Sequence, residues 1–290
     1  MSDGFEYDTA FSRNIGWVTA AEQGVLRRKR VAIAGLGGVG GIHLLSLARL
    51  GIGCFSIADF DVFDLANFNR QAGATLSSIG RPKSEVLEEL ARDINPEIEM
   101  RRLDQGVTAD NVDTFLDGVD LYVDGLDFFA FEARRLTFAA CARLGIPAIT
   151  AAPLGLGTAF LCFAPGSMSF EEYFCLDGCG EQEMALRFLL GLSPAMLQRG
   201  YLADFSKVDF VARRGPSTVA ACQLCAGVIA TEAMKLLLGR GGVPLAPRGY
   251  QFDAYRNRFV HTWRPWGNRN PLQRVAMAIA RRQLGLSQGA

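Results

Sequence analysis

The sequence predicts an α/β fold with a doubly wound, mostly parallel sheet, on three observations. Short β-branched apolar runs alternate with apolar-periodic segments from residue 30 to about residue 150. A glycine-rich turn, Gly35-Leu-Gly-Gly-Val-Gly40, joins the first run to the first periodic segment, and the second run ends in an acid, Asp59. Strands that alternate with helices make parallel sheets, because each crossover helix carries the chain back to the same edge.

Taken in order, residues 11–29 read as a helical lead-in that ends in the basic run Arg27-Arg28-Lys29-Arg30, a solvated helix end. Val31–Ala34 is the first strand and the segment through Leu50 the first helix. Cys54–Ala58 is the second strand. A helix from Lys83 to Asp93 stops before Asn95-Pro96, as a helix should ahead of proline. Leu121–Asp124 and Ala148–Ala151 read as buried strands with a helix, Glu132–Leu144, between them. The alternation then fails. Residues 165–215 hold one amphipathic stretch, Met184–Leu190, and read as an inserted crossover lobe. Residues 222–238 form a helix ended by Gly239, and Tyr250–Asp253 with Arg258–Trp263 supply antiparallel edge strands. The chain therefore divides into a lead-in (1–29), a nucleotide-fold core (30–164), the lobe (165–215), the last part of the same domain (216–270) and a basic helical tail (271–290).

Composition narrows the function classes. The 290 residues are 49% hydrophobic and 21% charged, and 32 glycines indicate many tight turns. Thirty Lys and Arg balance thirty Asp and Glu, so bulk charge gives no reason to expect nucleic acid. The polar, acidic start MSDGFEYDTAF lacks the form of a signal peptide, and no uninterrupted apolar run reaches ~18 residues. A cytoplasmic protein with no membrane contact is expected, its seven cysteines reduced.

The glycine turn carries the first chemistry. Gly35, Gly37, Gly38 and Gly40 let a phosphate approach the backbone, and the following helix offers unpaired N–H groups and positive potential. Asp59, 24 residues after Gly35, stands where an acid accepts hydrogen bonds from a ribose. This Rossmann-like arrangement identifies a nucleotide without saying which. The next cluster does more. Asn67-Phe-Asn69-Arg70-Gln71 and Gly80-Arg-Pro-Lys83 supply donors and cations that a nicotinamide does not need and a triphosphate does. Arg70 could fork onto phosphate oxygens and Lys83 act as a point charge at the α-phosphate, with Asn67 and Asn69 as neutral donors.

Here the chain resembles a known family. Arg13, GLGGVG (35–40), DFD (59–61), NFNRQ (67–71), GRPKSE (80–85), INPEI (94–98) and DGLD (124–127) stand in the order found in ThiF-type enzymes. These are bacterial relatives of the ubiquitin-activating enzymes and include the sulfur-carrier adenylyltransferases of thiamine and molybdopterin synthesis. The resemblance is close over residues 11–160 and looser over 216–260. It implies ATP with Mg²⁺, attack of a C-terminal carboxylate on the α-phosphate, and an acyl-adenylate with pyrophosphate as products. By position, Gly35, Gly37, Gly38 and Gly40 line the nucleotide, and Asp59 and Asp61 hold the ribose side. Asn69, Arg70 and Lys83 face the phosphates, and Asp127 holds Mg²⁺ or orients it. The resemblance also implies a homodimer in which Arg13 reaches the neighbouring subunit's site.

The chain departs from the family at the zinc site. Cys222-x-x-Cys225 and Cys175-x-x-x-Cys179 could supply four thiolates on spacing alone. The second family pair, however, follows the last strands, where this sequence reads RPWGNRNP (264–271) without cysteine. Structural zinc is not expected. Cys222 and Cys225 are expected to pack on one face of the late helix, and His43 to face solvent or the sheet. Cys175 and Cys179 could meet an activated acyl group, but no neighbouring base supports a covalent step. The expected partner is a small ubiquitin-like protein or a precursor peptide, docked against the apolar stretch 184–190. The alternatives are the same chemistry on a modified tRNA nucleoside, or a nucleotide-bound scaffold without catalysis, and an NAD oxidoreductase ranks last.

Overall fold

The computed structural model describes residues 4–284. The lead-in is two short helices, α1 (Tyr7–Ala10) and α2 (Ala20–Leu26), joined by a 3-10 turn over Ser12–Asn14. One long helix does not form because Gly16 takes φ +110° and Thr19 starts afresh. Thr19 and Glu22 cap α2 reciprocally, each side chain accepting the other's backbone N–H. The basic run that follows is paired. Arg27 meets Glu97 at 2.7 Å, Lys29 meets Asp120 at 2.7 Å, and Arg30 meets Glu99.

The core begins with β1 (Arg30–Ala34), α3 (Gly40–Arg49), β2 (Cys54–Ala58), α4 (Lys83–Ile94), β3 (Glu99–Leu103), α5 (Val112–Leu116) and β4 (Leu121–Asp124). It continues through α6 (Phe131–Leu144), β5 (Ala148–Leu154), β6 (Gly157–Phe163), α7 (Phe170–Phe174), α8 (Glu181–Leu192) and α9 (Val219–Leu238). The antiparallel pair β7 (Arg248–Asp253) and β8 (Arg258–Trp263) precedes α10 (Pro271–Leu284). The helix expected for the last six residues lies outside the described part. The sheet order is β3-β2-β1-β4-β5-β6-β7-β8, with β3 to β5 parallel and β5 to β8 antiparallel. The doubly wound, mostly parallel expectation therefore holds, as do the antiparallel edge strands.

Period-two alternation divides the sheet's two faces. In β1, Val31 and Ile33 enter one core with Leu44, Leu47, Leu87 and Ile229, under α3, α4 and α9. Ala32 and Ala34 enter the other with Phe115, Tyr122, Phe138 and Phe174, under α5 to α8. At about 25 cal/mol per Å² of apolar surface, each fully buried large side chain contributes roughly 1.5–3 kcal/mol, so these layers supply the main drive to fold.

Several elements differ from expectation. The strands β3 and β6 have no counterpart among the expected elements. Glu-Met-Arg-Arg-Leu makes an edge strand whose polar side chains mask its pattern, and β6 is buried along its whole length, so it shows no alternation. The 165–215 segment holds two helices that pack onto the second face of the sheet, with Phe170, Phe174 and Phe188 inside that core. The apolar residues of 184–190 are turned inward, Ala185 and Phe188 to that core and Leu186 and Leu190 beneath α10 with Met277, so they offer no docking groove. Of the two orientations expected for His43, towards solvent or towards the sheet, burial excludes the first, since the ring is fully buried within α3. Helix α9 is long and apolar enough to cross a membrane by length and composition, but it lies against β5, β6 and α3.

Candidate active site

The carboxyl ends of β1, β2 and β4 finish level, with Ala34 opposite both Ala58 and Asp124. The chain winds to opposite sides from β1 and β4, so the crevice between them is the switch point where such sheets bind ligands. The glycine loop leaves β1 there. A side chain at Gly40 would collide with the carbonyl oxygen of Gly35, and one at Gly35, which has φ +78°, with that of Gly125. These glycines let the loop press against the end of β4. Gly37 and Gly38 serve otherwise. A methyl at Gly38 would touch Cys222 Sγ at 3.4 Å and Arg70 Nε at 3.5 Å, and one at Gly37 the Gln71 amide nitrogen at 3.7 Å. Nothing forbids a side chain there, so their bareness leaves an open cradle edged by Arg70 and Gln71.

Asp59 sits beside the loop and braces it. Its Oδ2 accepts the Leu36 N–H at 2.5 Å and its Oδ1 accepts the Asp61 N–H at 2.8 Å. Burial pushes its carboxyl above the usual range, against the pull of those two N–H groups. The next loop is stitched to GRPK by backbone bonds from Phe63 N to Arg81 O (3.0 Å) and Lys83 N to Asp61 O (2.9 Å). This brings Lys83 Nζ to 2.9 Å from Asp61 Oδ2. Lys83 is buried and opens α4, where a cation opposes the helix dipole at a cost of about 0.3–1 kcal/mol. Asp61 offsets that cost, and a bound phosphate would do the same.

The remaining expected residues sort into two groups. Arg70 reaches Gly38 and is steered by Asn69, whose Oδ1 accepts from Arg70 Nη1 at 2.8 Å. The Asn69 amide in turn donates to Ser217 O at 3.0 Å. Asn67 is spent locally, its Oδ1 accepting the Asp64 N–H at 3.0 Å in a reciprocal cap. Asp127 is exposed on the loop after β4, and its Oδ1 accepts the Phe129 N–H at 3.0 Å. An exposed carboxylate with a free oxygen suits a hard cation. Arg13 projects from the Ser12–Asn14 turn and makes no hydrogen bond or ion pair among the described residues.

Two features of the site escaped sequence reasoning. Arg134, on the buried stripe of α6 with Phe131, Phe138 and Cys141, pairs with Asp124 at 2.9 Å. It also donates to the carbonyls of Leu126 (2.8 Å), Asp127 (2.9 Å) and Phe128 (3.2 Å). A charge on an apolar helical stripe was the available signal. The second is the start of α9, capped by Thr218, which lies beside the glycine loop through Cys222. As expected, Cys222 and Cys225 pack in the core, and burial raises both thiols.

The arrangement joins a glycine cradle, a brace acid and two cations at one switch point. The ThiF family model matches residues 11–275. The chain belongs to the ThiF family. It is 37% identical over 107 residues to the tRNA threonylcarbamoyladenosine dehydratase of Bacillus subtilis, which covers 37% of this chain and 42% of that protein. It is 35% identical over 143 residues to the sulfur carrier protein ThiS adenylyltransferase of Escherichia coli, covering 47% and 53%. The match thus spans about half the length of these relatives or less. Among solved structures, PaaA superposes with a TM-score of 0.67 at 16% identity, covering 91% of this chain and 77% of that one. Escherichia coli MccB solved with ATP, and again with MccA, gives 0.65 at 19% identity, covering 89% and 72%. At such identity these likenesses concern the fold.

After the last strand, where the resemblance implies the second cysteine pair of a zinc site, the sequence has no cysteine. Here Asn268, buried between α7 and α8, donates to Phe174 O at 2.8 Å and Arg187 O at 3.0 Å. Among the described residues no group of three or more His, Cys, Asp or Glu could hold a metal ion.

Proposed function

We propose that this chain is an ATP-dependent adenylyltransferase that activates a carboxylate as an acyl-adenylate. The carrying observation is Arg70, whose guanidinium lies against the bare Gly38 of the nucleotide loop. In this reading ATP lies over Gly37 and Gly38, with its ribose towards Asp59 and Asp61. Arg70 forks onto the β- and γ-phosphates, and Lys83 leaves Asp61 to meet the α-phosphate. The carboxylate oxygen attacks the α-phosphorus, an O–P bond forms, and the bond to the β-phosphate oxygen breaks with pyrophosphate as leaving group. Arg70 and Lys83 stabilise the charge that gathers on the departing oxygens. Asp127 would hold the Mg²⁺ that arrives with ATP and neutralises its phosphates.

The acceptor in this reading is the C-terminal carboxylate of a small ubiquitin-like sulfur carrier or a precursor peptide. The ThiS adenylyltransferase relative and the MccB–MccA fold neighbour support it. Arg13, exposed and without a partner among the described residues, supports a homodimer in which it completes the neighbouring site. ATP–pyrophosphate exchange by the folded protein, stimulated by C-terminal peptides, tests the reading. Absence of exchange with every carboxylate offered would overturn it. A second reading, the same chemistry on a modified tRNA nucleoside, is favoured by the dehydratase relative. Against it, Arg27, Lys29 and Arg30 are already engaged by acids. AMP release stimulated by tRNA and not by peptides would select it.

A further inference from the structure

The loop that carries Asp127 continues as Phe128 and Phe129, and both rings are partly exposed. Phe128 packs edge-on to Phe129 at 4.9 Å between centroids and tilts against Phe188 at 5.3 Å. Phe129 meets Phe131 at 6.4 Å and, from a distant part of the chain, Phe210 at 6.3 Å. Phe131 and Phe188 are buried, so the outer rings rest on a fixed platform. Phe210 belongs to segment 205–217, which also exposes Phe205 and Val211. That segment is tied to the phosphate side of the site by Asn69 and Ser217, and to α8 by the Arg213–Glu181 pair at 2.5 Å. It therefore runs from Arg70 to the neighbourhood of Asp127.

Phosphates are bound by N–H groups and cations, and aromatic rings beside them contribute nothing to that contact. Apolar surface at the mouth of a site is instead what an apolar substrate group covers. We propose that Phe128, Phe129 and Phe210 form the wall that receives the last side chain of the carboxylate substrate, and that this side chain is large and apolar, aromatic or leucine-like, rather than the hydrogen of glycine. The proposal rests on the adenylation reading above and specifies its substrate class. The carboxylate would lie at the Asp127 end of the phosphates, with the adjoining side chain turned onto the rings.

The test is ATP–pyrophosphate exchange by the whole chain with peptides of one length and sequence that differ only in the last residue, Gly, Glu, Leu or Phe. The expected result is a kcat/KM at least ~10-fold higher for the Phe and Leu peptides than for the Gly peptide, the scale an apolar pocket achieves. Equal or greater use of the Gly or Glu peptide overturns the inference and leaves adenylation standing. Exchange with no peptide removes the adenylation reading itself, and the inference falls with it. Phe129→Ala and Phe210→Ala should each raise KM for the Phe peptide ~10-fold more than they raise it for the Gly peptide. An equal loss on both peptides would assign the rings to loop folding and overturn the proposal.

Discussion

Arg134 and Asp124 form an ion pair sealed inside the fold, Nε to Oδ2 at 2.9 Å, each side chain only 2% exposed. The guanidinium also gathers three carbonyls of the following loop and lies over the Phe188 ring at 4.6 Å. It converts the end of β4 into a fixed perch for Asp127. Arg134→Met removes one partner and strands the other charge, so it should cost about 3–5 kcal/mol in denaturant unfolding. Arg134→Lys keeps the charge but loses the planar fork. It should retain most of the stability and lower exchange activity.

The two kinds of glycine in the loop make a contrast. Gly40→Ala drives a methyl into the Gly35 carbonyl and should unfold or displace the loop, visible as a large fall in Tm or in soluble yield. Gly38→Ala meets only ordinary van der Waals distances. Its Tm should stay near wild type while KM for ATP rises, because the methyl enters the cradle.

Arg70→Ala and Lys83→Met should each reduce exchange ~10²–10³-fold, the scale seen when one preorganised charge donor at a transition state is lost. Arg70 is half-buried and bonds only to its own loop, Nη1 donating to Ala66 O and Asn69 Oδ1, so its variant should unfold close to the wild-type denaturant concentration. Near-wild-type exchange by either variant would remove it from the phosphate site.

Mixing experiments test the dimer. In the proposed homodimer Arg13 would act on the neighbour's site and Asp127 on its own, so Arg13→Ala and Asp127→Ala should each be inactive alone. Co-refolded, they should recover activity, since a mixed dimer assembles one site with both residues intact. No recovery would confine Arg13 to its own subunit.

His43 sets an acid sensitivity. It is wholly buried, both ring nitrogens lack partners, and burial lowers its pKa from 6.5 to about 3. The folded state therefore holds the ring neutral while the unfolded chain takes up a proton below pH 6.5. The contribution to stability is full above pH 6.5 and is lost as pH falls towards 3, on the order of 5 kcal/mol in all. His43→Leu should flatten stability against pH over that window without loss near neutrality.

Local pattern carried much of this protein. The glycine turn, Asp59 at a strand end and the proline-stopped helix at 83–94 are short-range signals, each set by backbone sterics or by the periodicity of a single element. They were legible for that reason, and so were the parallel sheet and the order of motifs that places the chain in the ThiF family. The edge strand β3 and the buried strand β6 were not, because neither displays the alternation of a half-buried strand.

The sequence by itself determined which residues could meet a phosphate. Only the tertiary structure decided what each is doing at rest. Asn67 caps its own turn, Asn69 steers Arg70 and ties it to Ser217, and Lys83 waits on Asp61. It also decided that Arg134, 10 positions from Asp124, would hold the loop after β4, and that Phe129 would meet Phe210. The Asn69–Ser217, Lys83–Asp61 and Phe129–Phe210 pairings join residues far apart in the chain. They depend on how the sheet and its crossover segments bring distant surfaces together, which local propensity does not encode.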